Sequence, residues 1–444
     1  MAHLSSQAAP ADIVPGLAAR RLAATLIDEV LRAGTALDDT FERVVASAGL
    51  EPADAGLARA IATVAFRRLG TIRRVVDDRL ERGSPRRSGP FEPIIVAAAA
   101  QLLFLDVPDH AAVDLAIRQL QEDPRSARYA ALGNALLRRL ARERAAILAD
   151  LDPLADMPAW LRDSWVRTYG ADVAAAIAAA HAEEPPLDLT VKADPGGWAA
   201  RLDGIVLPTG SVRLRGRDSV TTLPGFADGA WWVQDAAAAL PARLLGAAAG
   251  QRVADLCAAP GGKTAQLALT GARVTAVDRS PTRLRRLEAN LARLGLQAEI
   301  LAADATALAT EPFDAVLLDA PCSATGTIRR HPDVAWTKRP EDLAKLVALQ
   351  ARLLDQAAQL TRPGGKLVYC TCSLERAEGE AQIEAFLART PGFGRQAIDP
   401  AEIGGLSDAI TAEGDLRTLP HQLPGDGARL SGWTGFYASR LLRL

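Results

Sequence analysis

From about residue 236 onward, short aliphatic runs alternate with amphipathic helical segments, and this alternation constrains the fold more than any other feature of the chain. Strands are predicted at Arg252–Leu256, Arg273–Val277, Glu299–Ala302, Phe313–Leu318, Lys366–Tyr369 and Phe436–Leu441. Between them, Pro281 opens a helix on which Leu284, Leu287, Leu291 and Leu294 share a face, and Gly295 closes it. Pro340 precedes a second helix carrying Leu343, Leu346, Leu353 and Leu360. Such an order implies an α/β domain with a doubly wound, largely parallel sheet covered by helices on both faces. Ligands of these sheets bind outside the carboxyl ends of the strands, so the residues after each strand are the functional candidates.

The chain ahead of this domain reads differently. Residues 17 to about 145 are predicted all-α, with helical periodicity over Ala18–Leu31, Leu57–Val76, Phe91–Leu105, Ala111–Gln121 and Ala127–Glu143. Between about 146 and 235 a helical stretch, Trp160–Ala180, gives way after Pro185–Pro186 to β-like runs at Leu187–Val191 and Ser211–Leu214. A chain of 444 residues is long enough for several domains. The expected division is a helical module at 1–145, a connecting subdomain at 146–235 and an α/β domain at 236–444.

A formal net charge of only −2 argues against a bulk phosphate binder, which usually reads as basic throughout. Local basic faces remain available, because Arg clusters occur at Arg67–Arg68, Arg73–Arg74, Arg86–Arg87 and Arg138–Arg139. Each can equally be a solvated helix face. Met1–Asp12 carries no apolar segment of the kind a secretory signal needs. The longest apolar run, Pro93–Leu105, is too short to span a bilayer, so no membrane association is expected. Four Cys in a chain this long point to a reducing cytoplasm rather than a disulfide framework. No Cys-x2-Cys pair occurs and the five His are scattered, so no metal site is expected.

The first strand runs into Leu256-Cys257-Ala258-Ala259-Pro260-Gly261-Gly262-Lys263-Thr264, a glycine-containing loop that opens a helix. Its spacing fits neither a dinucleotide fingerprint nor a phosphate loop. Asp278 follows the second strand, where an acid can bond both ribose hydroxyls, and Asp304 follows the third, placed for an adenine amino group. Strand-end acids around one glycine loop suit an adenosyl ligand without phosphates.

All four Cys, at 257, 322, 370 and 372, lie in this domain. Asp319-Ala320-Pro321-Cys322-Ser323 follows the fourth strand and Thr371-Cys372-Ser373 the fifth, so adjacent strand ends would bring both thiols over one pocket. Cytosine C5 is too weak a nucleophile to take a methyl group from a sulfonium unaided. A thiolate adding to C6 turns the ring into an enamine that is nucleophilic at C5, and a base must afterwards remove the C5 proton. Asp319 could bond N3 and the exocyclic amine of the base, and Lys263 could hold the base or lower a thiol pKa. Buried Cys are otherwise commonly inert, which is the expectation for Cys257 and Cys370.

Together these three motifs resemble the NOL/NOP/Sun family of RNA 5-methylcytosine methyltransferases, and within it the bacterial Sun/Fmu group that acts on 16S ribosomal RNA. Ile328-Arg329-Arg330-His331-Pro332-Asp333 and Trp232-Val233-Gln234-Asp235 look like the same group. Leu102-Leu103-Phe104-Leu105-Asp106 followed by Ala111-Ala112-Val113 is similar to the all-α, RNA-binding NusB fold. The resemblance implies a class I, Rossmann-like domain that uses S-adenosylmethionine, and 16S ribosomal RNA as partner. It implies Cys372 as nucleophile and Cys322 as the thiol assisting release. It further implies cofactor contacts from Cys257, Ala258, Ala259, Pro260, Gly261, Gly262 and Lys263, then Asp278, Asp304 and Asp319. Two positions depart from the family pattern: Ala324 stands where Gly is usual, which would stiffen the loop after Cys322, and Gly432–Tyr437 differs from the usual Asp-Gly-Phe-Phe. A transfer RNA target, a non-catalytic RNA-binding assembly factor and a DNA cytosine methyltransferase are the competing readings. A monomer is expected.

Overall fold

The computed structural model describes residues 14–444 except 82, 217 and 218. Met1–Asp12, read above for targeting signals, lies outside the described residues. The chain divides into two compact units, Met1–Asp156 and Met157–Leu444.

In the first unit every regular element is helical among the described residues. The apolar run predicted as a core helix is one: Phe91–Phe104 buries both its flanks, from Ile94 to Leu103. Two differences from the sequence reading stand out. A further helix covers Leu37–Ala48. The periodic stretch 57–76 is two helices, Pro52–Arg67 and Leu69–Asp77, because Arg68 leaves helical geometry at φ −117°. The cause is remote in sequence. Asp156 accepts the Thr71 backbone N–H at 2.9 Å, satisfying a donor at the start of the second helix, and pairs with the Arg68 guanidinium at 3.2 Å. Of the other Arg clusters, Arg73 pairs with Glu92 at 2.9 Å and Arg139 with Glu143 at 2.8 Å.

The second unit starts with helices Ala159–Tyr169 and Ala171–Ala182, split where Gly170 takes φ 84°. A small antiparallel sheet follows, made of β1 (Leu187–Val191), β2 (Gly204–Val206), β3 (Val212–Leu214) and β4 (Trp231–Val233) in the order β2-β3-β1-β4. It packs Leu189, Val212, Leu214 and Trp231 against the short helix Pro195–Arg201. These elements belong to the stretch read from sequence as a connector.

The main sheet contains β5 (Arg252–Leu256), β6 (Arg273–Asp278), β7 (Glu299–Ala302), β8 (Phe313–Asp319), β9 (Thr361–Thr371), β10 (Phe393–Arg395), β11 (Leu416–Thr418) and β12 (Phe436–Arg443). The order is β10-β12-β9-β8-β5-β6-β7, with β11 also on β12. From β9 to β7 the strands are parallel; β12 runs antiparallel to β9, with Tyr437 opposite Thr371. Strands buried on both faces need aliphatic residues at successive positions, and Val316, Leu317 and Leu318 are all fully buried. Leu317 and Val368 meet helix Leu240–Leu245 on one face. Leu318 and Tyr369 meet helices Pro340–Leu360 and Glu380–Arg389 on the other. Truncating such a side chain to Ala costs about 2–5 kcal/mol. The main sheet with its helices is therefore the doubly wound α/β domain that the alternation predicted, and the order reverses at β5 and β8, where the glycine loop and the first Cys motif begin.

Candidate active site

The glycine loop leaves β5 through Cys257, whose φ of 63° is unusual for a residue with a Cβ and turns the chain sharply toward the next helix. Gly261 follows at φ 100°, and a Cβ there would lie 2.7 Å from Leu287 Cγ. Only glycine lets the loop pack this closely under helix Pro281–Leu294. The loop is tied to the next strand end, because the Ala259 N–H donates to the Asp278 carboxylate at 3.2 Å.

Two cavities flank the loop. The smaller, of about 240 Å³, is lined by Cys257, Asp278, Asp304 and Pro321, with Leu349 and Leu353 as an apolar wall. Asp278 is buried, takes the Ser280 N–H at 2.9 Å and pairs with the exposed Arg283 at 3.3 Å. Asp304 is exposed; hydrogen bonds from the Thr306 N–H and hydroxyl hold its pKa below the usual carboxylate value.

The larger cavity, of about 580 Å³, is lined by Ala258, Pro260, Gly262, Lys263, Asp319 and Cys372, among others. Ala259 and Gly261 line neither cavity; they shape the loop. Lys263 Nζ lies 2.7 Å from Asp319 Oδ2 and 5.1 Å from the Phe436 ring centre. Burial works to lower the Lys263 pKa, but the neighbouring carboxylate outweighs it and the ammonium is held charged. Behind this pair, Asp255 is fully buried and accepts the Thr264 hydroxyl at 2.6 Å; burial pushes its pKa up to about 7.

Of the two motif thiols, Cys372 lines this cavity and Cys322, which lines neither, lies against it. Cys322 Sγ and Cys372 Sγ are 3.5 Å apart. The Cys322 pKa is raised well above the ordinary thiol value, by its hydrogen bond with Cys372 and by burial. Cys370 is fully buried, with its Sγ 3.6 Å from Asp319 Oδ1, and Cys257 sits at the smaller cavity; burial pushes the Cys257 pKa up to about 12. The loops carrying the thiol pair touch directly. Gly326 N–H donates to the Cys372 carbonyl at 3.0 Å, and a Cβ on Gly326 would lie 1.9 Å from the Gly435 carbonyl oxygen. Ala324 adopts φ 59°, the left-handed conformation that glycine enters without cost.

Several contributors were not singled out as site residues from sequence. Phe226, Trp232 and Asp235, from the small sheet and its flanks, line the larger cavity. Asp235 pairs with Arg330 at 2.7 Å, which joins the two segments quoted above for their resemblance. Burial opposes ionisation of Asp235, yet the Arg330 guanidinium keeps its pKa low. Glu375 accepts Ser164 Oγ at 2.5 Å and Trp165 Nε1 at 3.0 Å, anchoring the loop after Cys372 to helix Ala159–Tyr169. Glu378 lies beneath both thiol loops. A Ser directly after each motif Cys was the available signal. Among the described residues no group of three or more His, Cys, Asp or Glu side chains is placed to hold a metal ion, and no helix is long and apolar enough to cross a membrane.

Residues 242–433 match the family described as 16S rRNA methyltransferase RsmB/F, and residues 17–142 match the NusB family. The chain is 38% identical to ribosomal RNA small subunit methyltransferase B of Xanthomonas campestris pv. campestris over 87% of its own length and 90% of that protein. It is 36% identical to the protein of the same name from Xylella fastidiosa, covering 96% and 98%. Among solved structures, PH0851 superposes with a TM-score of 0.76 at 23% identity over 96% of this chain and 99% of that one, a likeness of fold. A methyltransferase homolog protein from Pyrococcus horikoshii superposes at 0.53 with 27% identity, over 64% of this chain and 94% of that one. The chain carries a NusB domain followed by a methyltransferase fold, and it belongs to the 16S rRNA methyltransferase RsmB/F family.

Proposed function

We propose that this chain transfers a methyl group from S-adenosylmethionine to C5 of a cytosine in 16S ribosomal RNA, with Cys372 as covalent nucleophile. The observation that carries the reading is the thiol pair. Cys322 and Cys372 lie 3.5 Å apart, and Cys372 lines, with the Lys263–Asp319 pair, a cavity large enough for a nucleobase. The relatives named ribosomal RNA small subunit methyltransferase B support the choice of RNA.

The smaller cavity fits an adenosyl group. The buried Asp278 carboxylate offers acceptors for ribose hydroxyls, Asp304 can accept from an amino group, and Leu349 and Leu353 give an apolar face for a ring. When bound there, S-adenosylmethionine supplies an electrophilic methyl group. The protein does the remaining work. Asp319, held by Lys263, accepts from the cytosine amine and favours cytosine over uracil. Cys372 as thiolate bonds to C6, which loads electron density onto C5. The C5–methyl bond forms as the sulfonium–methyl bond breaks. While Cys372 is a thiolate, Cys322 keeps its proton by donating to it. Once Cys372 is bonded to C6, that hydrogen bond and the facing charge are gone, and the Cys322 pKa falls. Cys322 then gives its proton to water and, as thiolate, takes the C5 proton, and the electron pair released at C5 expels Cys372 as thiolate. A base reaches these thiols only after leaving its stack, which favours unpaired or partly folded RNA. In this reading the helical module at 1–145 and the connector at 146–235 position RNA for the domain at 236–444, and the protein works as a cytoplasmic monomer.

The test is transfer of labelled methyl from S-adenosylmethionine to undermodified 16S RNA, followed by nucleoside analysis. Label in 5-methylcytidine with the wild type and none with Cys372→Ala is the expected result. Label in another nucleoside, or full transfer by Cys372→Ala, overturns the reading.

A further inference from the structure

Glu378 is fully buried, six residues after Cys372, and lines neither cavity. Its carboxylate accepts the Ser323 N–H at 2.9 Å and the Ser323 hydroxyl, the Ser373 hydroxyl at 2.5 Å, and Gln350 Nε2 at 2.9 Å. Ser323 directly follows Cys322 and Ser373 directly follows Cys372. The two hydroxyls are also 3.1 Å from each other. Gln350 comes from helix Pro340–Leu360 and donates as well to the Pro321 carbonyl at 2.8 Å, on the other side of Cys322. The Glu378 backbone carbonyl accepts Tyr369 OH at 2.7 Å, fastening this turn to β9.

Burying a carboxylate costs several kcal/mol unless donors saturate it. Here they do, and the two hydroxyl donors belong to the residues next to the two thiols. A neutral amide would rewire it: Gln could keep one oxygen on the Ser323 N–H and Gln350, but its NH2 group would turn both hydroxyls from donors into acceptors and remove the charge. The arrangement therefore links the exits of β8 and β9 through one charge.

We propose that Glu378 is a positioning residue that holds the Cys322 and Cys372 loops in register, so that one thiol can serve the adduct formed by the other. The proposal rests on the two-thiol reading above. Glu378 acts only through Ser323 and Ser373 and touches neither nucleobase nor cofactor site. Its charge is also among the causes that keep the Cys322 thiol protonated, after the Cys372 hydrogen bond and burial.

The test uses the full chain and two readouts, with the melting temperature of each variant measured alongside. The first is the rate at which diamide oxidises the pair, two thiols becoming a disulfide as the azo group is reduced to a hydrazine, with the Cys322–Cys372 linkage mapped by mass spectrometry. This needs neither RNA nor cofactor. The second is methyl transfer, split into kcat and KM for S-adenosylmethionine. In Glu378→Gln, disulfide formation and kcat are expected to fall on the order of tenfold or more while KM stays within about twofold. Ser323→Ala and Ser373→Ala, milder changes, are expected to move both readouts the same way, and they decide the matter if Glu378→Gln does not fold. Unchanged oxidation and unchanged kcat in the folded variants overturn the proposal. Slower oxidation in a protein whose wild type makes no 5-methylcytosine upholds the clamp and overturns the reaction instead.

Discussion

The two cavities beside the glycine loop are built on different principles. The smaller joins a buried carboxylate to a solvent-facing partner: Asp278 is buried but its counter-charge Arg283 is exposed, and Asp304 is exposed and held by Thr306. With the guanidinium in solvent, this contact rearranges easily when a ligand enters. Around the larger cavity and behind it both members of each charged pair are held by the protein, half-buried in Lys263–Asp319, more deeply in Asp235–Arg330 and fully buried in the Glu378 network. A buried pair adds little net stability, but losing one member leaves an uncompensated charge. The contrast fits a division of labour in which one cavity exchanges its ligand each turnover and the other is preorganised for chemistry.

The contrast can be broken by substitution. Lys263→Met leaves the half-buried Asp319 without its counter-charge, and kcat is expected to fall about a hundredfold, with little change in cofactor affinity. Equal loss in kcat and cofactor affinity would erase the distinction between the cavities. Asp278→Ala should do the reverse, raising KM for S-adenosylmethionine about 10- to 100-fold through lost charge-assisted hydrogen bonds, with kcat nearly preserved. Steady-state kinetics with cofactor varied at saturating RNA separates the two cases.

Asp255 sharpens the comparison through stability. Its folded pKa of about 7 lies above the ordinary value of 3.8, so the folded state binds a proton the unfolded state has already released. The wild type therefore loses stability as pH rises from about 4 to about 7, with no further change above that range. Asp255→Asn can still accept from Thr264 and removes this dependence. It is expected to gain on the order of 2 kcal/mol over wild type at pH 8, and much less at pH 4.5, in denaturant unfolding. A constant difference across that range would show that Asp255 does not carry it. The smallest effect is expected at Ala324. Ala324→Gly relieves the left-handed strain but adds unfolded-state freedom, for a net gain below about 1 kcal/mol. A loss of stability would mean that the Ala324 methyl packs usefully.

Much of this was legible in sequence for a physical reason. Strands β5 and β7 fall at their predicted residues because they are short runs bounded by turn residues, and the helix after Pro281 ends at Gly295 as predicted. The thiol pair was readable because adjacent strand ends face one pocket. Features set by distant contacts were not. The break at Arg68 depends on Asp156, and the apolar pattern through Phe66, Leu69 and Ile72 runs across it without a sign. Strand β9 starts at Thr361, although Arg362-Pro363-Gly364-Gly365 reads as a turn, because the pairing with β8 shifts register between Phe313 and Ala315. Glu378 looks like one more acid beside Glu375 and Glu380, and only the fold brings Ser323 and Ser373 to it.

The central claim is that Cys372 attacks and Cys322 releases. The most direct measurement incubates wild type, Cys322→Ala and Cys372→Ala with undermodified 16S RNA and S-adenosylmethionine, and runs each on a denaturing gel. The account predicts a protein–RNA adduct that accumulates in Cys322→Ala and is absent in Cys372→Ala. An adduct that survives in Cys372→Ala, or one that accumulates in neither variant while methylation continues, would contradict it.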